Sequence, residues 1–168
     1  MSEQVLARPA VARVRAALEA AGIDGEIRVL ADSTRTALEA ASALGVEVGQ
    51  IAASLVFRRP DGEPVLVITS GAHRVDPDLV ASSLGLGSLE RVDADYVKGR
   101  SGFSIGGVSP LGWEGDYTQL TIVIDEDLGA FDVIWAAAGH PHAFFACTFA
   151  ALRDACHAQS LRVADERT

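Results

Sequence analysis

Three short stretches hold the residues whose types and spacing could do chemistry. The first is "GFSIGGVSPLG", from Gly102 to Gly112, in which Gly106-Gly107 is followed by Val108-Ser109-Pro110. Paired glycines free the backbone for positive φ and let a ligand come close to main-chain N–H groups. Such a loop can present amides to a carbonyl or an oxyanion. It lacks the lysine of a phosphate-binding P-loop and is not a GxGxxG dinucleotide turn. A tight bend packed under another element would use glycine in the same way, and composition does not separate the two.

The second stretch is Gly139-His140-Pro141-His142. Histidines at i and i+2 could hold a metal, but no matching carboxylate cluster lies beside them, so no metal site is assigned. His140, at a hairpin tip, is read instead as a hydrogen-bonding contact to substrate. The third is "ITSGAHRVD", where Ser70 and Gly71 follow a strand. They are taken as candidate substrate-binding residues, although a plain strand exit gives the same pattern. No GxSxG is present, so a hydrolase nucleophile elbow is not proposed. The run Asp125-Glu126-Asp127 reads as a solvated turn with helix-start character. Cys147 and Cys156, the two cysteines, read as reduced, buried thiols.

Elements of both kinds must position these stretches. "RPAVARVRAALEAAG" has Pro9 at a first helical turn, Gly22 as a stop, and Val11, Val14 and Leu18 on one face. "EIRVLA" reads as a strand. Asp32 or Ser33 then caps a helix over "TRTALEAASALG". "IAASLVFRRPDGEPVLVITSG" reads as a hairpin turning at Pro60 and Asp61-Gly62. Asp76 and Pro77 start a further helix. A short strand "LERVD" and a short helix "ADYVKG" lead into the glycine loop. "QLTIVIDEDL", "FDVIWAAAG" and "AFFACT" read as strands, "FAALRDACH" as a helix and "LRVAD" as a last strand. Interspersed strands and helices with hairpins predict a mixed α/β sheet carrying helices, not a doubly wound parallel one.

The 168 residues suit one domain spanning 1–168. Hydrophobic residues make up 49% of the chain, enough for a core. No apolar run is long enough to span a bilayer, and "MSEQVLARPAV" has no apolar signal core, so a cytoplasmic protein without membrane contact is expected. The net charge of −9 argues against coating DNA or RNA. Only a local contact with one nucleic-acid end is compatible with it. Arg58, Arg59, Lys98 (the only lysine) and Arg100 are the cations for such a rim.

Taken in order, "TALEAASALG", "QIAASLVF", "GFSIGGVSPLG" and "FDVIWAAAGHPHAFF" resemble the YbaK/EbsC family of aminoacyl-tRNA deacylases. These are freestanding relatives of the editing insertion domain of bacterial prolyl-tRNA synthetases. The likeness runs from about Pro9 to Asp165, and its most specific element is the Gly-x-x-x-Pro loop, here Gly106 to Pro110. The resemblance implies a curved, partly barrel-like mixed sheet with surrounding helices. It implies hydrolysis of the ester between a wrong amino acid and its tRNA, in trans, with proline tRNA carrying alanine, cysteine or another small residue as the substrate. No metal or organic cofactor is implied. The partner would be the acceptor end of aminoacyl-tRNA, with or without a tRNA synthetase.

Carried onto this chain, the resemblance makes Gly106 and Gly107 the residues that position the ester carbonyl. Ser109 and Pro110 shape the loop, and His140 contacts the substrate. Family mechanisms lean on the tRNA's own ribose hydroxyl and a bound water, which suits a chain with no obvious general base. One departure is plain. Where the family usually carries an activity-bearing lysine, this chain has Ala53, and an activity weakened or lost there is expected. The rival reading is a non-catalytic module that holds charged tRNA or a synthetase. Leu55, Phe57 and Ile68 are the candidates for setting pocket size.

Overall fold

The computed structural model describes residues 2–24, 26–31, 34, 36–114 and 120–164. Its elements in chain order are α1 (Ser2–Leu6), α2 (Pro9–Ala20), β1 (Ile27–Val29), α3 (Ala37–Leu44), β2 (Ile51–Arg58), β3 (Pro64–Ser70), α4 (Pro77–Ser83), β4 (Glu90–Arg91), α5 (Ala94–Ser101), β5 (Thr121–Asp125), β6 (Ile134–His140), β7 (Ala143–Cys147), α6 (Phe149–Cys156) and β8 (Gln159–Leu161). Short 3₁₀ turns at Val48–Gln50 and Glu126–Ala130 precede β2 and follow β5. Pro9 opens α2, and Asp76 caps α4 by accepting from Asp78 and Leu79 N–H. The cap of α3 is Thr36, whose side chain accepts from Glu39 N–H, so the helix begins three residues later than "TRTALEAASALG" suggests. Asp32 and Ser33 lie outside the described residues.

Eight strands form one mixed sheet in the order β1-β7-β6-β2-β3-β5-β8, with β4 attached to β2. The pairs β1–β7, β6–β7, β2–β3 and β2–β4 are antiparallel; β2–β6, β3–β5 and β5–β8 are parallel. The sheet ends on β1 and β8 and does not close into a barrel. Strand β3 sits centrally, and all seven of its residues are buried, as expected of a strand covered on both faces. Leu66 and Ile68 face the main core with Val11, Val14, Leu18 and Phe145. Val65 and Val67 face a second cluster with Phe57, Val80, Val123 and Val163. Ile68, fully buried in the main core, therefore stands apart from the pocket-size candidates Leu55 and Phe57.

Among the described residues no helix is long and apolar enough to cross a membrane. The last strand covers Gln159–Leu161, ahead of the predicted "LRVAD". Asp125 is not in a solvated turn. It is 1% exposed and ties the ends of β3 and β5 together, accepting from Ser70 N–H at 3.0 Å and pairing with His73 Nδ1 at 2.8 Å. Helix-start character is present, since its other oxygen accepts from Asp127 N–H.

Candidate active site

Strand β2 is paired along one whole side and only in part along the other. Against β3 the ladder runs from Ala52 to Arg58. On the opposite side β6 pairs with Ile51 and Ala52, and β4 with Phe57 and Arg58. Among the described residues Ala53 to Val56 have no strand partner there. The Gly71 N–H to Ile51 C=O bond fixes the alternation, because hydrogen-bonded residues on β2 then recur at every second position. It turns the N–H and C=O groups of Ser54 and Val56 toward the gap.

A cavity of about 680 Å³ fills this gap. Its walls come from β2, α3, β4, the turn between β6 and β7, and the glycine loop. Ala53 and Gly106 both line it, although they lie far apart in sequence. The lining is mostly apolar, with Ile51, Phe57, Val97, Val108 and Phe144 among its residues. Leu55 and Ile105, 40% and 58% exposed, stand at its open side. Among the described residues the lining side-chain hydroxyls are Thr34, Thr36 and Ser54, and the one charged lining residue is Arg91. Ser54 Oγ is buried with no hydrogen-bond partner among the described residues. A buried hydroxyl left unpaired costs on the order of 1–3 kcal/mol, so it is a group that a bound polar atom would satisfy. No carboxylate, imidazole or thiol is among the described lining residues.

The glycine loop is held from behind. Arg13 of α2 donates from Nε to Gly112 C=O at 3.1 Å and from Nη2 to Gly102 C=O at 3.2 Å, closing the two ends of the loop on one guanidinium. Ser109 is fully buried. Its hydroxyl accepts from Leu111 N–H, and its carbonyl accepts from Trp113 Nε1 at 2.8 Å. Cys156 Sγ donates to Pro110 C=O. Ser109 and Pro110 thus brace the loop from inside the fold, and neither lines the cavity.

The two central glycines serve different ends. A Cβ on Gly107 would lie 3.0 Å from both Cα and N of His140, so its bareness accommodates the backbone of the β6–β7 turn. Its N–H donates to Ser104 C=O. Gly106 has φ +94°, lines the cavity, and its N–H makes no hydrogen bond among the described residues.

The remaining candidates fall elsewhere. His140 is not among the lining residues; its neighbour Pro141 is, held by Thr34 Oγ1 donating to its carbonyl at 2.8 Å. His140 Nδ1 accepts from His142 N–H. Burial first, then His142 and Arg8 nearby, hold the His140 imidazole below the usual histidine range. Between that lowered value and the ordinary one near 6.5, the unfolded chain binds the proton more readily. Stability from this group is therefore complete above about pH 6.5 and is lost as pH falls through the folded value. Replacing His140→Asn should flatten the decline in urea midpoint between pH 7.5 and 5. Equal declines in the two proteins would refute that assignment.

Ser70 Oγ donates to Gly49 C=O at 2.9 Å, and Gly71 N–H donates to Ile51 C=O, so both residues spend their polar groups joining β3 to the start of β2. Arg58 pairs with Glu90, Arg59 with Asp61, and Arg100 with Glu63. Lys98 Nζ donates to Gly102 C=O. Cys147 and Cys156 are free and buried, and burial pushes both thiols up to about 12.

Comparison with known proteins fits this arrangement. Residues 31–155 match the family described as the aminoacyl-tRNA editing domain. The chain belongs to that family. A crystal structure of a candidate trans-editing enzyme for prolyl tRNA synthetase superposes with a TM-score of 0.85 at 38% identity, covering 94% of this chain and 98% of that one. The crystal structure of the hypothetical protein APE2540 gives a TM-score of 0.81 at 23% identity over 91% and 99% of the two chains, a likeness of fold. YwhH, an uncharacterised protein of Bacillus subtilis (strain 168), is 26% identical over 116 residues, 69% of this chain and 71% of its own. The resemblance to YbaK-like deacylases and the mixed α/β fold are thereby shown, and aminoacyl-tRNA editing is the family's business.

Arg13, Ser54 and Arg91 of this editing domain are absent from the sequence candidates. For Arg13 the partners are 99 and 89 residues away. Arg91 sits in a two-residue strand that looks like any charged edge. Ser54 gave one usable signal, a hydroxyl inside an apolar strand run.

Proposed function

We propose that this chain hydrolyses the ester of mischarged aminoacyl-tRNA in trans, acting on proline tRNA that carries a small wrong amino acid such as alanine or cysteine. The observation that carries the reading is the cavity at the open β2 edge, where Ala53 and Gly106, whose N–H has no acceptor among the described residues, line one space. An apolar pocket with a main-chain donor suits an acyl group with a polarised carbonyl. Donors aimed at developing negative charge contribute about 2.7–4 kcal/mol each in a studied hydrolase. In this reading the attacking water is activated by the substrate's own ribose hydroxyl, which suits a described lining with no acid, imidazole or thiol. Pocket width, set by Leu55 and Phe57, selects the acyl group with a resolution of about 1–3 kcal/mol per methylene.

Ala53 favours a second reading, a module that holds charged tRNA or a synthetase without turnover, since a methyl group supplies no charge to the pocket. A panel of mischarged tRNAs separates the two. Release of free amino acid, fastest from alanyl- or cysteinyl-tRNA of the proline acceptor, is the expected result. Binding of the same tRNAs with no release would overturn the hydrolase.

A further inference from the structure

Among the described residues the cavity carries one charged lining residue, and its carboxylate neighbour is otherwise engaged. Arg91 lies opposite Phe57 in the β2–β4 register, and Glu90 lies opposite Arg58. Successive residues of a strand point to opposite faces, so Arg91 shares the Phe57 side and Glu90 the Arg58 side. Glu90 is bound to Arg58. Arg91 is exposed and has neither an ion pair nor a hydrogen bond among the described residues. The other rim cations, Arg58, Arg59 and Arg100, are each balanced by an acid.

We infer that the Arg91 guanidinium holds a phosphodiester of the bound tRNA end while the acyl group occupies the apolar interior. The inference rests on the reading that an aminoacyl-tRNA end enters this cavity. An anion that keeps its hydration suits an exposed guanidinium, and the planar fork matches phosphate oxygens in pairs. The α-amino group of the acyl residue is a cation. Arg91 repels it, which directs the amino acid away from β4 and toward Ala53 and Gly106. Lys98 and the paired arginines each already have a partner within the fold, whereas the Arg91 guanidinium has none among the described residues.

The test compares wild type, Arg91→Gln and Arg91→Lys on an alanine-charged proline minihelix and on phosphate-free alanyl-adenosine. It adds binding of an amide-linked alanyl-CCA trinucleotide across a salt series. Arg91→Gln should raise KM for the minihelix about three- to tenfold, at least threefold more than for alanyl-adenosine, with Arg91→Lys in between. The salt slope of trinucleotide binding should drop by about 0.7, the value for one phosphate contact on a single strand. Equal losses on both substrates, or an unchanged slope, would overturn the inference. Wild type that binds the trinucleotide but never turns over sinks the hydrolase reading and leaves the slope to decide Arg91. Wild type that does not bind it sinks both.

Discussion

Ala53→Lys should raise deacylation of a small mischarged amino acid at least about tenfold, equivalent to roughly 1.4 kcal/mol of transition-state stabilisation. Ala53 sits opposite Thr69 in the β2–β3 ladder, within the stretch of β2 whose other side has no strand partner among the described residues, and lines the same cavity as Gly106. Its neighbours on that face of the strand are Ile51 and Leu55, so a lysine stem would lie on apolar surface while its head reaches the open side. The register on both flanks is regular, and the half-buried methyl leaves room to extend into the cavity without displacing backbone. The gain should appear in kcat if the ammonium organises the reacting end, and in KM if it only holds the substrate. Ala53→Met controls for the added stem. A methionine variant as active as the lysine variant would assign the gain to packing, and equal activity of wild type and the lysine variant would show the ammonium to be dispensable. No activity in either would favour the binding module.

Much of the frame was legible because short-range rules govern it. Pro9, Asp76-Pro77 and Asp61-Gly62 mark their helices and turn where local chemistry demands, and the apolar run of β3 announces a strand buried on both faces. The site was legible in its parts but not in its arrangement. Composition marks Gly106 and Gly107 equally. Only packing shows that one faces the cavity and the other receives the backbone of a turn 33 residues further on, at His140. Ser70 and Gly71 look like a cleft lining because a strand exit and a binding loop use the same residues; their hydrogen bonds to Gly49 and Ile51 are long-range facts. Asp125 reads as surface because acidic runs usually are, yet Ser70, His73 and the following turn converge on it. The open edge of β2 depends on where β6 stops pairing and where a two-residue strand begins, which no local pattern encodes.

Gly106→Ala, made in the Ala53→Lys background so that a loss can be read, should lower kcat at least tenfold while leaving the protein folded. At φ +94° an L side chain is strained, at a cost on the order of 1–2 kcal/mol. The strain does not come from crowding, because the nearest atom to the added Cβ is Pro141 Cγ at 3.5 Å, an ordinary contact. The chain can relieve it by rotating the peptide, and that rotation swings the Gly106 N–H, which, like those of Ile105 and Val108 beside it, no described residue accepts from. Arg13, Ser109 and Trp113 keep the ends of the loop in place, so the change stays local and the melting temperature should fall by only a few degrees. Gly107→Ala is the control with the opposite signature. There the added Cβ meets backbone of His140 at 3.0 Å, and backbone cannot swing aside as a side chain can. Its effect should therefore appear first in stability, as a lower urea midpoint, and only secondarily in turnover. If Gly106→Ala costs stability alone, or leaves kcat unchanged, the glycine loop does not approach the ester, and carbonyl polarisation would have to come from the Ser54 and Val56 amides along the open edge of β2.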